Sequence, residues 1–238
     1  IVTQIDHQCN IQPWRSLARY GCVIKEVRLD PETQQLDFDD YMSKLSDKTK
    51  LVAVNWAANG IGTITDVKKF IDEAHKVGAF TVIDAVHYAA HLPIDVKAID
   101  TDCLVCSPYK WFGPHMGLIY LKKEHLDRLE INNAGAPDIA EGARQFHMGT
   151  PQYEHLRGCE AAVNFIASIG EKYIEYFEEE TKDLEGRRKY VVAGMLAIDA
   201  YEEPLGTKLR KGLRRIPGVN VYGPAEGQPR PPTVVFTM

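Results

Sequence analysis

Short apolar runs recur along the first half of the chain at the spacing of buried strands. The run "LVAVNWAA" at 51–58 alternates and then becomes continuously apolar, which is typical of a strand covered on both faces. Further runs of the same kind lie at 79–84, 101–107 and 117–122. The pattern therefore predicts four buried strands before residue 123.

A helical pattern separates the first two of these strands. Asp66 can cap its start, and the apolar positions from Val67 to Ala74 recur at helical spacing, with Gly78 at the predicted end. Strands that alternate with helices indicate an α/β fold with a largely parallel sheet. In such sheets ligands bind beyond the carboxyl ends of the strands, so we expect the functional residues there.

The second half of the chain has a different pattern of apolar and polar residues. From about Glu154 to Arg215 the pattern is mostly helical, and "IPGVNVYG" then predicts a turn into a strand. We therefore predict a large domain over 1–175, followed by linking helices and the start of a smaller domain over 176–238. Since the chain opens inside an apolar run and closes on "PPTVVFTM", we expect a piece of a longer protein that lacks both ends.

Composition narrows the class of partner. The formal net charge of −5 argues against nucleic acid or an anionic membrane as the main partner. No apolar run approaches the roughly 18 residues of a membrane-spanning helix. Five cysteines without the spacing of a disulfide scaffold fit a reducing compartment, so we expect a cytoplasmic protein.

A lysine at the exit of an interior strand is the first candidate for chemistry. Lys110 lies between aromatic residues in "SPYKWFGPHMG", and a lysine in such a place can act as a nucleophile or form a Schiff base with pyridoxal phosphate. That cofactor also needs a carboxylate at its pyridine nitrogen. Asp84 ends the adjacent predicted strand, where it would be costly to bury without a cation. Each residue alone is more often structural, but together they favour pyridoxal phosphate.

Several ordered motifs resemble one family over nearly the whole chain. The segments "IDHQCNIQPW", "NGIGTI", "VIDAVHYAAH", "SPYKWFGPH" and "FHMGTPQ" are similar to those of the class V aminotransferase superfamily of fold type I enzymes. Within it, they are most similar to the cysteine desulfurase and selenocysteine lyase branch, in a "cysteine desulfurase-like" subgroup. The resemblance implies a three-layer α/β/α large domain with a mostly parallel sheet and a smaller α+β carboxyl-terminal domain.

The resemblance also implies an activity and a cofactor site. The activity would be pyridoxal phosphate-dependent cleavage of the C–S bond of cysteine, giving alanine and sulfur. Lys110 would form the Schiff base and move a proton at the substrate's α carbon, and Asp84 would pair with the pyridine nitrogen. His7 would stack on the ring, Asn59 would donate to the phenolic oxygen, and Ser107 would bind phosphate. Without the family, His7, Asn59 and Ser107 would be interpreted as ordinary surface, turn and capping residues.

Three further site residues follow from the same comparison of motifs. Thr150, in a Gly-Thr-Pro turn, would reach the phosphate bound by a second subunit, which implies a homodimer. His87 stands where standard desulfurases carry Gln, and Tyr109 where many carry His. His87 could still donate to the phenolic oxygen or the Schiff base, and Tyr109 to phosphate.

Alternatives remain open at this point. Transamination or epimerisation of another amino acid would use the same Lys110 and Asp84. A persulfide cysteine and a carboxylate-binding arginine are expected beyond Met238, so a non-catalytic fragment of the fold is a further reading. His87 and His91 have the i, i+4 spacing of a zinc pair, but no third ligand is evident, and we predict no metal site.

Overall fold

The architecture is that of a computed structural model, which describes residues 1–126, 128–129, 142–146 and 149–238. The described strands are β1 (Val2–Thr3), β2 (Glu26–Val27), β3 (Leu51–Asn55), β4 (Phe80–Asp84), β5 (Cys103–Cys106), β6 (Leu118–Leu121), β7 (Asn220–Tyr222) and β8 (Val235–Thr237). The described α-helices are α1 (Gln8–Arg15), α2 (Phe38–Lys44), α3 (Val67–Lys76), α4 (Val96–Ile99), α5 (Tyr153–Tyr173), α6 (Glu178–Thr181) and α7 (Gly186–Leu213).

The central sheet has the strand order β3-β4-β5-β6. The first three strands are parallel, and β6 returns antiparallel to β5. Strand β1 lies beside β3, since the Ile1 carbonyl accepts a hydrogen bond of 2.9 Å from the Ala53 N–H, and β1 pairs in parallel with β2. The four strands predicted from the apolar runs are therefore present, each somewhat shorter than its run. The expectation that all four are buried is wrong for β6, because it lies at the edge of the sheet, where Leu118 and Ile119 are exposed.

Helices cover both faces of this sheet. In β3, Val52 and Val54 belong to the hydrophobic cluster that contains Ile71 of α3. The intervening Ala53 belongs to a second cluster, with Ile11 of α1. Because neighbouring side chains of a strand point to opposite faces, α3 and α1 lie on opposite sides, and the predicted three-layer α/β/α arrangement is confirmed.

The start and the end of α3 are as expected from the sequence. The Asp66 side chain accepts a hydrogen bond from the Lys69 N–H, as an N-cap residue does. Gly78 follows the helix with φ +72°, a conformation that side chains with a Cβ rarely adopt. These two local signals fix how the chain enters and leaves the helix between β3 and β4.

The long helices α5 and α7 touch backbone to backbone. A Cβ added at Gly170 would lie 1.8 Å from the Tyr190 carbonyl oxygen, and one at Gly194 would lie 2.1 Å from that of Ile166. The predicted domain division falls between these helices, in the 3₁₀ turn Ile174–Tyr176, and stays a prediction. In the described part of the chain, no helix combines the length and the apolar character needed to cross a bilayer.

A buried carboxylate joins the elements at the amino ends of β4 and β5. Asp102 Oδ2 accepts hydrogen bonds from the Thr81 N–H at 2.8 Å and the Thr81 hydroxyl at 2.9 Å. His75 Nε2 lies 2.9 Å from the same oxygen, and His125 Nε2 lies 2.7 Å from Oδ1. Glu124 brings another oxygen within 4.8 Å of the Asp102 and His125 ligand atoms, but the donors already present account for Asp102.

These donors set the acidity of the group. Burial alone would raise the pKa of Asp102, but hydrogen bonds from His75, Thr81 and His125 lower it to about 2. The folded state therefore favours the ionised carboxylate. The resulting stability is complete above the unfolded pKa of about 3.9 and is lost as the pH falls through about 2.

We predict that Asp102→Asn lowers the free energy of unfolding at pH 7 by about 2 kcal/mol or more, because charge-assisted hydrogen bonds are replaced by weaker ones. Urea unfolding would measure the difference from wild type, which should shrink between pH 4 and pH 2. Asp100→Asn is the matched control, since the Asp100 side chain is 58% exposed and pairs with Lys122. Equal losses in the two variants would contradict this role of Asp102.

Candidate active site

Polar side chains meet at the carboxyl edge of the parallel strands. Asn55 is paired in register with Asp84, and Asp84 with Val105, so the three strand ends are level. Ser107 follows β5 directly, and the loop before α1 lies across the same edge. The position is the one expected for ligand binding in an α/β sheet.

One cleft at this edge collects seven of the eight predicted site residues. It has a volume of 160 Å³ and is lined by His7, Cys9, Asn55, Ala57, Asn59, Asp84, Val86, His87, Ser107, Tyr109 and Lys110. Thr150 is exposed and does not line the cleft. Its predicted role concerns a second subunit, so this part of the site stays a prediction.

A tight turn places Lys110 in the cleft. The Lys110 N–H donates to the Ser107 carbonyl at 3.0 Å, and the Pro108 carbonyl accepts from Trp111 at 2.9 Å and Gly113 at 2.8 Å. A Cβ at residue 113 would lie 2.7 Å from Pro108 Cβ, so only glycine allows the chain to close here. The sequence Ser-Pro-Tyr-Lys-Trp-Phe-Gly thus forms a compact 3₁₀ turn with the amine at its edge.

One residue within this turn is strained. Phe112 has φ +70°, which is rare for a bulky side chain and costs on the order of 1–3 kcal/mol where it occurs. Its ring packs edge-on against Phe165 of α5, with centroids 5.2 Å apart. Strain of this kind is concentrated at functional sites, and here it lies two residues after the candidate nucleophile.

Asp84 is a buried carboxyl group with few donors. Its side chain accepts a hydrogen bond of 2.9 Å from the Val86 N–H. Burial raises the pKa of Asp84, and the nearby His7 and Lys110 partly offset that rise. A cation placed in the cleft would complete the environment of this carboxylate.

His7 has both a structural role and a place in the cleft. Its Nδ1 accepts a hydrogen bond of 3.2 Å from the Cys9 N–H and so caps α1. The ring remains exposed on the cleft side, where a flat ligand can reach it.

Asn59 and Tyr109 form the outer parts of the cleft. Asn59 lies in a turn that two backbone hydrogen bonds close. The Ala58 N–H donates to the Thr63 carbonyl at 2.8 Å, and the Gly62 N–H donates to the Ala58 carbonyl at 2.9 Å. Tyr109 stacks on His115 with ring centroids 4.8 Å apart. Both side chains are exposed, so their donor groups are free to meet a bound molecule.

The two histidines of the "HYAAH" segment have separate partners. His87 Nε2 lies 2.6 Å from the Thr233 hydroxyl, and His91 Nδ1 lies 2.7 Å from Glu202 Oε2. Their rings meet edge-on at 5.0 Å. Each histidine thus contacts a different part of the carboxyl-terminal half, and this geometry gives no support to a shared zinc ligand pair.

Two residues of the site were missed by the sequence interpretation. Asp6 is buried beneath the cleft, where it accepts a hydrogen bond of 2.7 Å from Asn10 Nδ2 and one from the Thr3 hydroxyl. Asn55 donates to the Ile5 carbonyl at 3.2 Å, but among the described residues its buried Oδ1 has no hydrogen-bond partner. Asp6 directly precedes His7 in the quoted motif, and that adjacency was the available signal.

The acidity of Asp6 is strongly perturbed. Burial raises its pKa to about 7, against the lowering effect of hydrogen bonds from Thr3 and Asn10, and the neighbouring Asp84 adds to the rise. Two buried carboxyl groups therefore interact here, and of the two only Asp84 lines the cleft. Like charges so placed disfavour ionisation of both groups at once.

A larger groove lies on another face of the protein. It has a volume of 1020 Å³ and is lined mainly by apolar and aromatic side chains, among them Phe112, Tyr173, Tyr176 and Tyr201. It lacks the set of titratable groups found around Lys110, and we therefore take the smaller cleft as the candidate active site.

Comparison with known proteins identifies the same family along most of the chain. The sequence profile of the family described as "Aminotransferase class-V" matches residues 1–188. A cysteine desulfurase of Synechococcus elongatus is 34% identical over 192 residues, which cover 76% of this chain and 30% of that protein. A probable cysteine desulfurase of Synechocystis sp. is 31% identical over 236 residues, which cover 94% of this chain and 50% of that protein.

A solved structure shows the same fold. The apo structure of a cysteine desulfurase from Thermococcus onnurineus NA1 superposes with a TM-score of 0.80 at 25% identity, covering 100% of this chain and 56% of that one. This match confirms the predicted fold type I architecture. The chain spans 30% to 56% of the length of these three proteins.

We predict that Asp6→Asn becomes more stable relative to wild type as the pH rises from 4 to 7. The folded pKa of about 7 lies above the unfolded value of about 3.9, so wild type loses stability through this interval while the variant does not. The gain should be on the order of 2–4 kcal/mol and should level off above pH 7. Urea unfolding would measure it, and ¹³C NMR of the Asp6 carboxyl would follow the proton directly. A difference that does not vary with pH would refute the assignment.

Proposed function

The chain belongs to the class V aminotransferase family, and on that premise we propose that it carries the cofactor-binding site of a pyridoxal phosphate-dependent enzyme acting on an amino acid. The observation that carries the proposal is the convergence of Lys110, Asp84 and His7 in one cleft. These residues lie far apart in the sequence, and parallel strand ends bring them together. Their chemistry matches three different parts of one cofactor.

The residues of the cleft fit pyridoxal phosphate. Lys110 supplies an amine with no ion-pair partner among the described residues. Asp84 supplies a buried carboxylate short of donors, and Asn55 supplies a buried oxygen that lacks a partner in the described part of the chain. Such unpartnered polar groups are costly unless a ligand completes them.

Each group would hold a different part of the cofactor. Lys110 would bind the aldehyde carbon, Asp84 the protonated pyridine nitrogen, and His7 the face of the ring. Asn59 and His87 would face the phenolic oxygen, and Ser107 and Tyr109 the phosphate. Thr150 would reach the phosphate bound by a second copy of the chain, which would make the protein a homodimer.

Bound pyridoxal phosphate supplies an electron sink for the bonds at the α carbon of an amino acid. Asp84 would hold a proton on the pyridine nitrogen of the bound cofactor, because a buried carboxylate is stabilised by the positive charge it faces. Lys110, placed by the tight turn, would take the proton from the α carbon and return it. His7, whose ring is exposed beside the cleft, would cover one face of the bound ring and limit access of water there.

The reaction we propose is cleavage of the C–S bond of cysteine to give alanine and sulfur. The support comes from relatives named cysteine desulfurase at 34% and 31% identity. A second candidate is transamination or epimerisation of another amino acid within the class V family, favoured by His87 standing where standard desulfurases carry Gln. A non-catalytic form of the fold is the third. The cytoplasm is the compartment we propose for any of these roles.

Lys110→Ala is expected to abolish covalent attachment of the cofactor. Wild-type protein mixed with pyridoxal phosphate should gain the absorbance band of a protein-bound Schiff base. Borohydride reduction should then leave a pyridoxyl group on Lys110, which peptide mass spectrometry would locate. Lys123→Ala removes an exposed lysine outside the cleft and should behave as wild type. A label on a lysine other than Lys110 would refute the assignment.

With L-cysteine, pyridoxal phosphate and dithiothreitol, the full-length protein is expected to release sulfide and alanine in equal amounts, and its Lys110→Ala variant should release neither. Selenocysteine and a panel of other amino acids would be assayed in parallel, with keto acids scored against sulfide. Keto acid without sulfide would favour the transaminase alternative. Labelling of Lys110 with no turnover of any amino acid would favour the non-catalytic one.

A further inference from the structure

The cleft is tied to the carboxyl-terminal half of the chain by one short hydrogen bond. Thr233 Oγ1 lies 2.6 Å from His87 Nε2, although the two residues are 146 positions apart. His87 lines the cleft together with Lys110, whereas Thr233 does not line it. The imidazole of His87 is therefore the direct contact between Thr233 and the lining of the cleft.

His87 is held as a neutral ring. Burial, together with the charges of His91 and Lys110, lowers its pKa to about 4, and Glu202 opposes them. A neutral imidazole has one nitrogen that donates and one that accepts, and a hydroxyl can pair with either kind. In this ring the Thr233 hydroxyl occupies Nε2, so it fixes the orientation of the ring and leaves Nδ1 as the nitrogen for a bound molecule.

Thr233 is itself firmly placed by a buried arginine. Arg230 as a whole is 8% exposed. Its guanidinium donates to the carbonyl groups of Thr233 at 3.3 Å, Ile61 at 3.2 Å and Pro224 at 2.9 Å. Ile61 belongs to the turn that carries Asn59. The hydroxyl is thus presented to His87 from a segment fixed on three sides by backbone contacts.

The opposite side of His87 is fixed as well. The His91 ring packs edge-on against it with centroids 5.0 Å apart, and Glu202 holds His91 at 2.7 Å. With packing on one side and a hydrogen bond on the other, rotation of the His87 ring is restricted. The Thr233 hydroxyl is the contact that distinguishes one ring nitrogen from the other.

We propose, resting on the function proposed above, that Thr233 is a positioning residue that acts through His87: its hydroxyl fixes the orientation of the ring and so decides which ring nitrogen His87 presents to the cofactor. The carboxyl-terminal segment 230–233 then forms part of the active site without touching the cofactor. A hydroxyl is required at this position, but the methyl group is not.

The first test is made on cofactor-free protein. In ¹⁵N-histidine NMR spectra, the Nε2 signal of His87, assigned by its loss in His87→Ala, should have the same position in wild type and in Thr233→Ser. Thr233→Val, which keeps the shape and removes the hydroxyl, should shift that signal, because Nε2 loses its hydrogen-bond partner. Thr237→Val is the matched control, because among the described residues the Thr237 hydroxyl bonds the exposed Tyr222 hydroxyl, at 3.1 Å, and it should leave His87 unchanged.

The second test measures the affinity for pyridoxal phosphate by absorbance titration. Thr233→Val should raise the dissociation constant about fivefold, as expected for one lost hydrogen bond, and Thr233→Ser should restore it. In the His87→Ala background the same substitution should have no further effect, because the ring through which it acts is gone.

The proposal is overturned if Thr233→Val leaves the His87 Nε2 signal unchanged, or if its effect on affinity persists undiminished without His87. The NMR measurement needs no cofactor, so it decides the link between Thr233 and His87 even if Lys110 is not labelled. Failure of the labelling would overturn the proposed function, and failure of the NMR test would overturn this inference alone.

Discussion

The burial of Asp84 at the end of β4 is the constraint on which the candidate site depends. A carboxylate taken out of water needs donors or a positive charge, and the described part of the chain offers this one the Val86 N–H and the more distant His7 and Lys110. Asp6 adds a second buried carboxyl group nearby. The floor of the cleft is thus built to favour a cation, and a protonated pyridine ring is a cation of suitable shape.

The same sheet carries a buried carboxylate at its other edge, and the contrast between the two is informative. Asp102 is surrounded by donors from Thr81, His75 and His125, and its pKa is lowered to about 2. Asp84, with one backbone donor, has a raised pKa. Burial acts on both groups in the same direction, so the difference comes from the donors. A satisfied carboxylate stabilises the fold, whereas an unsatisfied one in a cleft marks a binding site.

What could be predicted from the sequence follows from local patterns. Apolar runs gave the four strands, and the positions of Lys110 and Asp84 at strand exits placed them at one edge. The motifs around them added His7, Asn59, His87, Ser107 and Tyr109, which line the same cleft. The contacts that were missed are long-range or buried: Asp6 gains its altered acidity mainly from burial, and Thr233 meets His87 through packing of the carboxyl-terminal half. The position of Asp6 beside His7 pointed to the site but not to its burial, and the contact of Thr233 leaves no local signal in the sequence.

The turn after β5 shows how a short sequence serves the core and the cleft at once. Four consecutive side chains go to three places: Tyr109 and Lys110 line the cleft, Trp111 is buried in the core, and Phe112 lines the apolar groove. The buried indole of Trp111 anchors the turn in the core. Phe112 has an unfavourable φ because the chain must pass close to Pro108 at Gly113. Among the described residues, the amine of Lys110 is therefore positioned by the packing of its neighbours rather than by an ion pair, as a nucleophile requires.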